Sequence, residues 1–213
     1  MKLAILTGVC VSLFGIAACS NLERSRNLAD SRVSAVTIAQ QVCSNCHGVD
    51  GNSVSPGFPR LAGQQAVYIV AQLTNFRSHQ RSDPAGTEYM WGLSRHLTDE
   101  QIAGLADYYA KQEPQRPALP AVDPKLLAAG KEIYDKGVAA DNVIACMACH
   151  GPLGQGIEAF PRLAYQHADY LRKQLDVFQF TQGRPGTPME TITHPLTGDN
   201  KDAIAAYLQA FPD

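Results

Sequence analysis

The sequence predicts an all-α fold made of two tandem domains, and three observations carry that expectation. Apolar residues recur at helical spacing through most of the chain, and no run alternates as a strand does. The motif Cys-x-x-Cys-His occurs twice, as Cys43-Ser44-Asn45-Cys46-His47 and as Cys146-Met147-Ala148-Cys149-His150. The segments that follow the two motifs repeat each other in order.

Cys-x-x-Cys-His is the attachment motif for c-type haem. Two thiols add across the haem vinyl groups, and the adjacent His reaches the iron from the same side. Half a zinc site or a redox dithiol is the competing reading of one copy alone. A zinc ribbon closes its two Cys pairs within about twenty residues, whereas here one motif stands in each half and His follows directly both times. Each half is thus expected to be built around one covalently bound haem, with Cys43, Cys46, Cys146 and Cys149 as attachment points and His47 and His150 as proximal iron ligands.

The chain begins like an export signal. Lys2 precedes an uncharged stretch from Leu3 to Ala18, which is shorter than the roughly twenty residues of a spanning helix. It ends Ile16-Ala17-Ala18-Cys19-Ser20, which resembles the bacterial lipobox with Cys19 as the lipidated residue. Ordinary cleavage near Ala18 is the alternative. Acyl chains on Cys19 would hold the protein at a membrane surface, because each buried methylene contributes about 0.8 kcal/mol. Cys10 reads as a small apolar residue of the signal. The expected division is 1–18 as a signal of lipoprotein type, 19–32 as a flexible tether, 33–112 as the first domain, 113–124 as a Pro-rich linker and 125–213 as the second domain.

The helices follow in order. Residues 33–45 run into the first motif. Residues 65–78 carry Val67, Ile69, Val70, Leu73 and Phe76. Thr98 opens the next helix as N-cap, with Asp99 and Glu100 in the first turn and Gln101 at the capping-box position. The second half repeats the plan near 125–136, 167–180 and 199–210. The 213 residues carry 45% hydrophobic and 18% charged residues, with a formal net charge of −2. No basic stripe interleaved with aromatics is present, which argues against nucleic acid as a partner. Each half is small for an unaided core, so a buried porphyrin is expected to complete it.

The sixth iron ligands are expected from Met90 and Met189. They hold matching places in the repeat, each opening a Met-x6-Leu-Thr segment. Met147 lies inside its own motif and cannot reach the opposite haem face. Thioether sulfur favours reduced iron and raises the potential. Core packing is the alternative for both, and His79, His96, His167 and His194 are rival ligands without matching repeat positions. The carbonyls of Pro59 and Pro161 suit the Nδ1–H of His47 and His150, which would fix the ring plane. Arg60 and Arg162 are candidates to neutralise haem propionates. Tyr68, Tyr170, Trp91 and Phe76 read as pocket or core packing.

In combination, several features resemble the dihaem cytochrome c4 family over residues 35–211. They are the paired motifs, the Phe58-Pro59-Arg60-Leu61-Ala62 and Phe160-Pro161-Arg162-Leu163-Ala164 segments, the Gln64-to-Tyr68 and Gln166-to-Tyr170 spacings and the Met-x6-Leu-Thr closures. The resemblance implies two class I cytochrome c domains packed face to face, with haem propionates close at the interface. It assigns Cys43, Cys46, His47 and Met90 to one haem and Cys146, Cys149, His150 and Met189 to the other. It implies a periplasmic electron carrier, not an enzyme, working from the cytochrome bc1 complex to a terminal oxidase. An electron-transfer subunit of a membrane-bound oxidase or dehydrogenase is the alternative, and a dihaem peroxidase a more distant one. The lipid anchor and an extra loop from Gly137 to Ile144 depart from the family pattern.

Overall fold

The structure is a computed structural model that describes residues 27–84, 86–180, 183–184 and 186–212. The expected signal, with Cys10, and the expected lipidation site, Cys19, lie outside the described residues. Among those described, all regular elements are helical, and only two isolated bridges occur, Val138–Val143 and Ile157–Phe160.

The first half opens with α1 (Ala35–Ile38), capped by the Ser34 hydroxyl, which accepts from the Thr37 amide. The helix passes through a π turn, Ala39–Cys43, into α2 (Ser44–His47). Such turns gather at functional sites, and this one ends on the first motif cysteine. Next come α3 (Ala66–Arg77), a second π turn at Gly86–Met90, α4 (Trp91–Ser94) and α5 (Asp99–Ala110). Thr98 and Gln101 form the full capping box of α5.

The second half has α6 (Pro124–Lys136), α7 (Met147–His150), α8 (Ala168–Gln179), α9 (Met189–Thr193) and α10 (Gly198–Gln209). Asp123 caps α6, with Pro124 at its first position, where the missing N–H costs nothing. Thr197 and Asn200 form the matching capping box of α10. The extra loop holds a 3-10 turn at Ala139–Asp141, closed by the Val138–Val143 bridge. It stands where the first half continues its helix directly into the motif.

Each half has its own core. Ile38, Ile69, Leu97, Ile102, Leu105 and Tyr109 fill the first. Ile133, Tyr134, Leu171, Leu196, Ile204, Leu208 and Phe211 fill the second. Along α3 the buried face is narrower than the apolar pattern suggests: Ile69 and Phe76 are buried, while Val67 is 51% exposed. The end of the segment expected to be a flexible tether is tied down. Leu28 packs on the first core, and Gln101 Nε2 donates to the Asp30 carbonyl at 3.1 Å, so the end of the expected tether is folded. The linker carbonyls of Glu113 and Gln115 accept from Asn52 Nδ2 and Arg60 Nη2 at 3.0 and 2.7 Å.

The first and last helices of each half cross at one small residue. A Cβ on Gly104 of α5 would come within 2.6 Å of Ala35 Cβ on α1. In the second half the glycine has moved to the first helix: a Cβ on Gly130 of α6 would lie 2.1 Å from the Ala203 carbonyl of α10. Helices approach that closely only where one partner lacks a side chain. Gly130→Ala should therefore destabilise the second half by about 1–3 kcal/mol, as overpacked cores do, even though alanine is the better helix former. A chemical-denaturation midpoint equal to or above that of the parent protein would contradict the crossing geometry.

Candidate functional site

Both Cys-x-x-Cys-His motifs sit on a single helical turn that ends in a buried histidine. His47 Nδ1 donates to the Pro59 carbonyl at 2.8 Å, and His150 Nδ1 to the Pro161 carbonyl at 2.9 Å. A carbonyl only accepts, so each ring carries its proton on Nδ1 and presents a free Nε2. Burial pushes both imidazoles below their ordinary pKa, against the pull of the proline carbonyl. Both rings are neutral near pH 7, the form that ligates iron.

None of the four motif cysteines is paired in a disulfide. Burial pushes Cys43 and Cys146 up to about 11. Among the described residues no three His, Cys, Asp or Glu side chains converge on a metal-sized point. Instead, one continuous cavity of ≈ 710 Å³ runs through both halves, within the range of cofactor pockets. Its walls include all four thiols, both motif histidines, Met90 and Met189. An apolar slot bordered by two thiols, a neutral imidazole and a thioether in each half suits a porphyrin attached at its edge.

The two methionine segments are built alike. Met90 ends a π turn and Met189 starts α9. In each, a fully buried hydroxyl four residues on donates to the methionine carbonyl at 2.7 Å, from Ser94 in one half and Thr193 in the other. Sequence reasoning missed these two residues, although their matching places in the repeat gave the signal. The rival histidines are elsewhere, and none borders the cavity. His79 stacks on Trp91 with ring centroids 4.5 Å apart. His96 and His194 are exposed. His167 is buried, with Nε2 donating to the Ser53 carbonyl of the other half at 2.9 Å. Trp91, also outside the cavity wall, lies between His79 and Arg95.

The halves meet through reciprocal amide bonds. Gln64 Oε1 accepts from the Arg162 amide at 2.7 Å, and its Nε2 donates to the Arg162 carbonyl at 3.1 Å. Gln166 does the same to Arg60, at 2.8 and 2.9 Å. Each glutamine acts as a strand-like partner to the other half's loop, and the pair is related by an approximate two-fold axis. Arg60 spends its guanidinium on Asn52 and the linker. Arg162 keeps a buried Nε without a partner and borders the cavity, a donor suited to a haem carboxylate.

Two tests follow from this interface. Gln64→Ala strands the Arg162 amide and carbonyl, which should cost about 1–3 kcal/mol and separate the unfolding of the two halves in calorimetry; one unchanged transition would refute the pairing. His167 is held below the ordinary histidine pKa by burial, opposed by the Ser53 carbonyl and assisted by Arg60. A depressed histidine gives stability that is complete above its unfolded pKa of about 6.5 and is lost as pH falls below it. His167→Gln should flatten the decline in stability measured between neutral and mildly acid pH.

Comparison with known proteins gives the same assignment. The cytochrome c family model matches twice, over residues 34–112 and 127–211. The chain is 37% identical to the cytochrome c4 of Azotobacter vinelandii over 79% of its own length and 83% of that protein. It is 36% identical to the thiosulfate dehydrogenase electron acceptor of Stutzerimonas stutzeri, over 79% of this chain and 78% of the relative. A solved structure of the cytochrome c4 of Acidithiobacillus ferrooxidans superposes with a TM-score of 0.73 at 38% identity, covering 79% of this chain and 98% of the other. Two copies of a haem-attaching fold, a shared cavity and relatives of this length lead to one assignment: the chain belongs to the cytochrome c family and is a dihaem electron carrier of cytochrome c4 type, with two class I domains that each bind a haem c covalently.

Proposed function

We propose that the protein shuttles electrons in a bacterial periplasm from a cytochrome bc1 complex to a terminal oxidase, with both irons saturated by His and Met. The observation that carries this reading is the matched placement of Met90 and Met189 in the wall of the cavity that holds His47 and His150. A bound haem supplies one-electron exchange between ferric and ferrous iron. The chain's own residues orient it. The proline carbonyls fix both imidazole planes, the Ser94 and Thr193 hydroxyls hold the methionine segments, and the apolar walls keep water away from the iron. Were His47 with Met90 and His150 with Met189 to hold the two irons, no open place would remain for peroxide, which favours a carrier over a peroxidase.

Lipidation at Cys19 would keep this carrier at the membrane surface. No described helix is long and apolar enough to cross a membrane. A second electron source has specific support in the likeness to a thiosulfate dehydrogenase electron acceptor. On that reading the chain takes electrons from a soluble or complexed dehydrogenase and passes them onward.

Optical spectroscopy tests the ligands. Ferric holoprotein should show a Met-to-iron charge-transfer band, and Met90→Ala and Met189→Ala should each remove about half of it. The potential of the altered haem should fall by on the order of a tenth of a volt, within the span of about 0.8 V set by axial ligands. A full-strength band in either variant would assign the sixth ligand elsewhere. Stopped-flow reduction by purified bc1 complex and by thiosulfate dehydrogenase separates the two donors.

A further inference from the structure

The two halves do not draw their cavity walls from the same parts of the chain. Among the described residues, the wall takes nothing from the stretch between Tyr109 and Val143, which holds the linker and α6. The stretch before α1 does contribute. Leu28 borders the cavity, although the sequence places it in a flexible tether.

Leu28 belongs to the first half. It packs on the cluster that contains Ile38, Ile69, Leu97, Leu105 and Tyr109; Cys43 packs on the same cluster, and no residue of the second half does. Those five core residues also border the cavity. Leu28 therefore extends the apolar wall that stands beside the first attachment turn.

The segment around it is held by its own bonds. The Asp30 amide donates to the Asn27 carbonyl at 2.9 Å, and the Val33 amide to the Asp30 carbonyl at 3.1 Å. Arg32 Nε and Nη2 each reach the Asp30 carboxylate at 2.8 Å. Gln101 Nε2 fastens the segment to α5, donating to the carbonyls of Asp30 and Val33 at 3.1 and 3.0 Å. Of residues 27–33 only Leu28 reaches the cavity, while Val33 is buried in the core.

We infer that Leu28 is a haem-contacting residue of the first half, and that residues 27–33 form a strap, latched by Gln101, that closes the pocket of the first haem alone. An apolar side chain laid against a porphyrin excludes water from the surface it covers. The strap also leaves only residues 19–26 between itself and Cys19. Eight residues of extended chain reach about 26–29 Å, so lipid at Cys19 would keep this wall of the first haem within that distance of the membrane surface. Two bound haems suffice for the arrangement, whatever their sixth ligands, and lipid at Cys19 is not required.

Nuclear Overhauser contacts in the ferrous holoprotein read the arrangement directly. The Leu28 methyl protons should contact one haem, the one whose thioether bridge also contacts Cys43, and not the other. No contact with a haem, or contact with the haem bound at Cys146, overturns the inference. Gln101→Glu keeps an oxygen for the Thr98 amide, since Glu serves a capping box as Gln does, but sets a carboxylate against the two strap carbonyls. Amide exchange at Asp30 and Val33 should quicken by about tenfold, as two lost hydrogen bonds allow. The proton shifts of the first haem should move in Gln101→Glu and in Leu28→Ala, and those of the second should stay. Packing on the core alone would lower stability and leave both haems' shifts unmoved, which overturns the inference. The charge-transfer band, which reads the methionines, should keep its strength in both variants, so a failure here is distinct from a failure of the ligand assignment.

Discussion

The fold depends on one constraint: each half is too small to close an apolar core by itself, and a porphyrin has to complete it. Around each histidine the chain spends its tightest local geometry on this task. A helical turn presents two thiols, a proline carbonyl orients the imidazole at 2.8 or 2.9 Å, and a second segment brings a thioether to the same cavity. The helices behind these groups form a bracket. Their own cores are modest clusters, and the volume between them, ≈ 710 Å³, is larger than any side chain could fill. Cofactor binding and folding are therefore one process in this molecule.

Joining two such brackets face to face creates a second problem, because the loops that line the cavities carry backbone groups that need partners. Gln64 and Gln166 solve it reciprocally, each bonding both the amide and the carbonyl of the other half's arginine. These bonds satisfy buried backbone groups of both loops and fix the register of the interface. The arginines and tyrosines behind them extend the same network to the cavity wall, so the arrangement that fixes the halves also shapes the electrostatic surroundings of both haems.

Much of this was legible in the sequence. The Cys-x-x-Cys-His motifs, the matched methionines, the internal repeat and the Thr98 capping box are local patterns whose chemistry depends on spacing alone. The proline carbonyls could be anticipated because proline keeps an acceptor after losing its donor. What was not legible depends on the other half of the chain. Gln64 and Gln166 read as part of a spacing pattern, and nothing local says that their amides cross the interface. His167 looks like a loop residue until Ser53 is placed against it. Val67 fits the apolar pattern of α3 yet faces solvent, because the helix needs only a narrow stripe against its neighbours. The π turns at Ala39–Cys43 and Gly86–Met90 depend on packing and leave no compositional mark.

The exchange of glycine between the two helix crossings has a consequence for biogenesis. A tandem repeat risks pairing an element of one copy with the wrong element of the other while the chain emerges. Here α1 brings Ala35 to a crossing that requires Gly104, whereas α6 brings Gly130 to one lined by Ala203. Pairing α1 with α10 would set the Ala35 side chain where the bare Cα of Gly130 meets the Ala203 carbonyl. The bare Cα of Gly130 therefore favours α6 over α1 as the partner of α10.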